Sequence, residues 1–120
     1  MIKVFILKNG KVLREKIKKL LLELKFDIYS KGTYYLIEAI ILAVNNPDLI
    51  VVLNELYKKI ANKYNKNSTQ IRRSIIGSID VMNNHISSEQ LHSFFHIYNN
   101  EKVSPKYFFT VVIEYFNNKK

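Results

Sequence analysis

The stretch NKYNKNSTQIRRSIIGSID, residues 62–80, contains side chains suited to bind a polyanion. The polar residues 67–69 stand at the expected start of a helix, where their side chains and the helix amides can hold a phosphate. Arg72 and Arg73 follow, and a guanidinium group can form two hydrogen bonds with the edge of a guanine base. The types and spacing of these residues indicate contact with nucleic acid.

A second polar group has the spacing of metal ligands. Glu89, His92 and His96 are three and four residues apart, which places them on one face of a continuous helix. Such spacing is frequent by chance, and the sequence offers neither a fourth ligand nor an HExxH motif. We expect no metal and no other cofactor. Since Gly-rich phosphate loops and catalytic triads are also missing, we expect no enzyme activity.

Composition and charge narrow the class of protein. The chain has 120 residues, 48% of them hydrophobic, and no Cys, which fits one packed core without disulfides. The net charge of +9 is concentrated in residues 1–31 and 55–73, and a polyanion gains affinity for such blocks through counterion release. A lysine-rich surface in a chain of biased composition is the simpler alternative. No apolar run approaches the ~18 residues of a membrane span, so we expect a cytoplasmic protein without a membrane partner.

The elements that position these residues are expected to be helices. Apolar residues recur at spacings of three and four over residues 11–26, 33–45, 49–64, 71–82, 91–98 and 108–116. Capping pairs begin helices at Asn46–Pro47, Asn67–Gln70, Ser87–Gln90 and Ser104–Pro105. Gly32 is expected to separate two helices, and one long or two consecutive helices lead to Tyr64. The sequence predicts an all-α fold, a compact bundle of about five to six helices forming one domain over residues 11–120. A short arm or strand over residues 1–10 precedes it.

Residues in the middle of the chain have the spacing of a helix-turn-helix. The motif needs a small residue in its first helix, a turn residue that tolerates a left-handed backbone, and an apolar anchor in its second helix. Ala61, Asn65 and Ile71 supply these three. The second helix, at about residues 68–82, then presents the arginine pair and Ile76 outward, as a recognition helix does in the major groove.

Three segments of the chain resemble segments of a known protein family and occur in the same order and at the same spacing. They are SKGTYYLIEAI (residues 30–40), LYKKIANKYNKNSTQIRRSI (residues 56–75) and KVSPKYFFTVV (residues 102–112). The chain, over roughly residues 15–117, resembles the C-terminal DNA-binding effector domain of the stage-zero sporulation response regulator. The resemblance implies a helix-turn-helix that binds short sites in double-stranded DNA, commonly as adjacent copies or a dimer on DNA, and controls transcription in sporulation.

Four positions of the recognition helix depart from the family pattern. The family has Arg where this chain has Gln70, Glu at Arg72, Arg at Ile76 and His at Gly77, whereas Arg73 matches. Two donors are missing, although an isoleucine can contact a thymine methyl group. We expect an altered site preference. The mid-helix glycine costs about 0.5–1 kcal/mol relative to Ala, and either a close backbone approach or an unexplained weak spot accounts for it.

Two functions remain open from the sequence. Regulators of this family carry a receiver domain for which the chain has no room, so the first is a stand-alone, sequence-preferring DNA-binding transcription regulator. Its predicted DNA contacts are Asn67, Ser68, Thr69, Gln70, Arg72, Arg73 and Ile76, with Lys58, Lys63, Lys66, Lys102 and Lys106 on the backbone. The alternative is a protein-interaction module that modulates a full-length regulator or RNA polymerase without specific DNA readout.

Overall fold

The computed structural model describes residues 10–118, which contain six α-helices, one short 3-10 helix and no β-strand. The α-helices are α1 (Gly10–Glu23), α2 (Lys31–Asn45), α3 (Leu53–Tyr64), α4 (Ser68–His85), α5 (Ser88–Ser93) and α6 (Pro105–Asn118). The predicted all-α bundle is confirmed. The arm or strand predicted for residues 1–10 lies outside the described residues, apart from Gly10, where α1 begins.

Helix α2 is the central element of the bundle. It is apolar on almost every side, as expected of a surrounded helix, and it packs against α1, α3, α4 and α6. The core around it draws fully buried side chains from all these helices, among them Leu13, Leu36, Ile60, Ile75 and Phe108. Helix α4 is held against this core by one face, so its other face is left to solvent. In the described part of the chain, no helix is long and apolar enough to cross a membrane.

Gly32 lies inside α2, so the prediction that it separates two helices is wrong. The helix begins after Ser30, whose hydroxyl oxygen accepts a hydrogen bond from the backbone N–H of Thr33 at 3.1 Å. A Cβ atom added at Gly32 would collide with the backbone carbonyl oxygen of Ser74 in α4. The glycine is therefore required by the close crossing of α2 and α4.

The segment between α2 and α3 settles the boundary that the apolar pattern left open. Pro47–Ile50 forms the 3-10 helix, and α3 begins separately at Leu53. Asn46 stands before the proline as expected, but its side chain forms no capping hydrogen bond. The break leaves Val51 and Val52 exposed, by 67% and 51%.

Helix α5 ends earlier than the apolar pattern indicated. The pattern continued to Tyr98, but the helix stops at Ser93 and the backbone of His96 turns to a φ of 59°. The backbone N–H of Ile97 then donates to the carbonyl oxygen of Leu91 at 3.1 Å. Because the chain reverses there, Tyr98 is exposed instead of packed.

The same reversal separates the three residues with metal-ligand spacing. Glu89 and His92 lie in α5, whereas His96 lies beyond its end. The prediction that they share one helical face is therefore wrong. Among residues 10–118, no three His, Cys, Asp or Glu side chains are grouped so that they could hold a metal ion.

Two serine caps act as the sequence indicated, one of them in part. The Ser104 hydroxyl oxygen accepts a hydrogen bond from the Tyr107 backbone N–H at 3.2 Å, at the start of α6. The Ser87 hydroxyl oxygen likewise accepts from the Gln90 backbone N–H at 3.1 Å. The Gln90 side-chain oxygen, however, accepts from the Ser87 hydroxyl at 3.4 Å and not from the Ser87 backbone N–H, so the second half of the capping box is unformed. The Gln90 side-chain amide donates to the carbonyl oxygen of Glu23 and so links α5 to the end of α1.

Candidate nucleic-acid interface

The turn between α3 and α4 has the geometry of a helix-turn-helix. Asn65 follows the last residue of α3 with φ 54° and ψ 49°, which confirms the left-handed turn. The Lys66 backbone N–H donates to the carbonyl oxygen of Ala61 at 2.8 Å, and that of Asn65 to Asn62 at 3.4 Å. These two bonds form a Schellman motif, which satisfies the last carbonyls of α3. Ala61 and Ile71 are both buried, as the motif requires.

The first turn of α4 is closed by the predicted capping pair. The Asn67 side-chain oxygen accepts from the Thr69 backbone N–H at 2.7 Å. The Gln70 side-chain oxygen accepts from the Asn67 backbone N–H at 3.2 Å. Because each side-chain oxygen accepts a hydrogen bond within the protein, the N–H groups of the two amide side chains point away from the cap and can donate to a ligand. A helix start that presents donors suits a phosphate.

The outer ridge of α4 consists of five residues at spacings of three and four: Thr69, Arg73, Ile76, Gly77 and Asp80. Four of them are exposed and Ile76 is half-buried. The buried residues of α4 lie on the opposite face of the helix. Arg73 therefore lies near the middle of the exposed face of α4.

Arg72 lies on the flank of α4 that faces α3. Burial raises the pKa of Tyr57 in α3, and the positive charge of Arg72 opposes part of that rise, so the guanidinium group lies near this ring. Among residues 10–118, neither Arg72 nor Arg73 takes part in an ion pair. The two adjacent arginines thus occupy different surroundings, one against α3 and one on the outer ridge.

Three of the predicted phosphate contacts lie on α3 or in the turn. Lys58 is paired with Glu55 at 3.6 Å, one turn earlier on the same helix. Lys63 donates to Glu38 of α2 at 2.7 Å. Lys66, in the turn itself, is exposed and makes no side-chain hydrogen bond or ion pair with any residue the structure describes. It is the least constrained of these cations.

Glu38 is a buried carboxylate whose role the sequence analysis missed. It is 4% exposed and accepts hydrogen bonds from Arg14 of α1 and Lys63 of α3. Burial alone raises the pKa of Glu38, but the hydrogen bonds and charges of Lys63 and Arg14 outweigh that effect and lower the pKa below its ordinary value. The available signal was a single acid on the apolar face of α2. The cluster ties three helices together and so orients the first helix of the motif.

Two predicted lysine contacts lie away from the turn. Lys106 donates to the carbonyl oxygen of Val51 at 3.2 Å. Val51 lies just before the start of α3, whereas the turn of the motif lies at the other end of that helix. Lys102 precedes a backbone segment that the side chain of Asn83 binds near the C-terminal end of α4. The structure therefore brings residues 66–73 together and places these two lysines at the far ends of α3 and α4.

The family model described as Sporulation initiation factor Spo0A C terminal matches residues 17–115. The match contains all of α2 to α5, including the helix-turn-helix, and most of α1 and α6. Its members are DNA-binding effector domains and not enzymes.

Proposed function

The chain belongs to the Spo0A C-terminal family, and on this premise we propose that it is a sequence-preferring DNA-binding transcription regulator with an altered site preference. The observation that carries the proposal is the position of Arg73 near the middle of the exposed outer ridge of α4. The major groove admits an α-helix, and an arginine there can bind the O6 and N7 atoms of guanine together. Arg73 is also the recognition-helix arginine that matches the family pattern.

The residues around Arg73 divide into two groups of contacts. The donors at the start of α4, from residues 67–70, and the ammonium group of Lys66 are placed to hold phosphates that flank the groove. Arg72, beside α3, is better placed for the backbone than for a base edge. Phosphate contacts position the helix, and base contacts supply the sequence preference.

Selection of bound sequences from a random pool of double-stranded DNA tests this proposal. We expect one enriched motif, and we expect Arg73→Ala to lower affinity for it by about 5- to 150-fold, which corresponds to ~1–3 kcal/mol. Arg72→Ala is the matched control, because it removes the same charge from the flank of the same helix and should retain the motif. A nuclease footprint on the same DNA tests whether adjacent copies bind, since they would protect a stretch longer than the motif. Absence of DNA affinity at low salt would overturn the proposal.

The backbone contacts can be tested by the salt dependence of binding. Loss of one phosphate contact lowers the slope of log K against log salt by about 0.9. We expect this change in Lys66→Ala, with a similar loss of affinity for every sequence. Lys102→Ala, which removes an exposed lysine far from the turn, should change the slope less.

A protein-interaction role is the second candidate. The observation that favours it is the adjacent pair Val51 and Val52, two exposed aliphatic residues at the far end of α3 from the turn. We propose that such a surface contacts RNA polymerase or a full-length regulator. Replacing both residues with Ser should then abolish co-purification with that partner and leave DNA affinity intact. Tight binding to one DNA sequence together with no such partner would count against this role.

A further inference from the structure

Beyond Arg73, the outer ridge of α4 carries one aliphatic residue followed by a glycine. Ile76 is a half-buried aliphatic residue one helical turn after that arginine. Next to it, a Cβ atom added at Gly77 would meet no atom within 4 Å, so open space lies outside the helix there. No contact within the described part of the chain requires this glycine.

The major groove offers one apolar group on its base edges, the C5 methyl group of thymine. An isoleucine side chain can pack against this methyl group and cannot hydrogen-bond to any base. A glycine beside it lets the helix backbone approach the DNA closely, because no side chain intervenes. The pair is therefore suited to bring a methyl-bearing base edge against the aliphatic side chain.

Asp80 marks where this contact surface ends. It is exposed on the same ridge, one turn beyond Ile76 and two turns beyond Arg73. A carboxylate near the phosphates is repelled by them, so close approach is favoured along the first turns of α4 and disfavoured beyond. The part of the ridge that can approach base edges thus contains one guanidinium group and one aliphatic side chain.

We propose that Ile76, with the open backbone at Gly77, reads a thymine methyl group in the major groove near the guanine bound by Arg73. Three residues of helix span about 4.5 Å, so the two bases should lie within about two base pairs of each other. The inference rests on the proposed DNA-binding function and adds to it the chemical group that determines the altered preference.

The test uses duplex oligonucleotides that carry the selected motif, with each thymine replaced in turn by deoxyuridine. This replacement removes only the methyl group and retains base pairing. At one position near the guanine, we expect the wild-type protein to lose about fourfold in affinity, the value of one buried methyl-sized group. Ile76→Ala should bind the thymine and deoxyuridine duplexes equally.

Two further variants separate readout from a general effect. Ile76→Val keeps the β-branched side chain, removes only the terminal methyl group, and should retain part of the thymine preference. Val81→Ala removes an exposed aliphatic residue from α4 outside the outer ridge and should retain all of it. Thermal unfolding of each variant identifies any that do not fold.

The outcomes distinguish this inference from the proposed function. If a motif is selected but no thymine position responds to methyl removal, or if Ile76→Ala responds as strongly as the wild type, the methyl readout is overturned and the DNA-binding function stands. If no motif is selected, the proposed function fails, and the inference fails with it.

Discussion

Gly32 of α2 packs against the inner face of α4, whereas Gly77 lies on the outer ridge of α4, and these two helical glycines have opposite surroundings. At Gly32 an added Cβ would collide with the backbone of Ser74, and it would lie 3.1 Å from the Cβ of Ser78. At Gly77 it would meet nothing within 4 Å. The inner face of α4 is determined by contacts within the chain, whereas nothing in the described fold determines the residue at Gly77. The proposed DNA contact would supply a reason for Gly77 that the fold itself does not.

The largest effect is expected from Gly32→Ala. Since the clash is with backbone, α2 and α4 must separate, and overpacking of this kind costs about 3 kcal/mol. Urea unfolding monitored by circular dichroism measures the loss. A variant as stable as the wild type would show that the crossing is loose and would remove the contrast between the two glycines.

A smaller effect is expected at the buried charge cluster. Glu38→Gln should cost about 2 kcal/mol at neutral pH, because charge-assisted hydrogen bonds from Lys63 and Arg14 are lost. Glu15→Gln is the matched control, since Glu15 is an exposed acid whose ion pair with Lys18 is 3.9 Å long. We expect that variant to unfold almost as the wild type does.

The same carboxylate predicts an acid-dependent loss of stability. The pKa of Glu38 is lower in the folded protein than its ordinary value of 4.5. Its stabilisation is therefore fully present above pH 4.5 and is lost as the pH falls through the folded value. Unfolding at a series of pH values should show a smaller decline in Glu38→Gln than in the wild type. Equal declines would mean that other groups account for it.

Next in size is the hydrogen bond that accompanies the close crossing. The hydroxyl groups of Thr33 and Ser78 lie 2.5 Å apart in a buried position. Ser78→Ala should cost about 1 kcal/mol. The double variant with Thr33→Val should lose less unfolding free energy than the sum of the two single variants, because each single variant already breaks the same hydrogen bond. Strict additivity in urea unfolding would contradict the contact.

The smallest effect on stability, and of opposite sign, is expected from Gly77→Ala. An alanine fits the open space and favours the helix, so the protein should gain about 0.5–1 kcal/mol. If DNA approaches the backbone at this position, affinity for the selected motif should fall in the same variant. A loss of stability would reveal an intramolecular reason for the glycine and would overturn the contrast with Gly32.

Several parts of the site could be predicted because they involve groups close together in the chain. The cap formed by Asn67 and Gln70 joins atoms within one helical turn, and the left-handed turn at Asn65 follows from the backbone tolerance of asparagine. The family resemblance of the longest segments was confirmed by the match over residues 17–115. The DNA contacts themselves stay predictions.

Other features could not be predicted because they depend on how helices lie against each other. The end of α5 is set by a chain reversal that the apolar pattern does not encode. The hydrogen bonds of Lys63 to Glu38, and of Lys106 to Val51, join residues distant in sequence. A lysine in the sequence carries a charge, but its neighbours in space decide whether that charge is available to a ligand.

The sequence by itself determined the helical class, the cap at Asn67 and the turn of the motif, since these depend on local backbone preferences and on apolar residues at helical spacing. Only the tertiary structure decided why Gly32 must be glycine and why Arg72 and Arg73 differ. The close crossing of α2 and α4 buries one side of α4 and turns its other side outward. That packing places Arg72 beside α3, puts Arg73 on the outer ridge, and leaves Gly77 open.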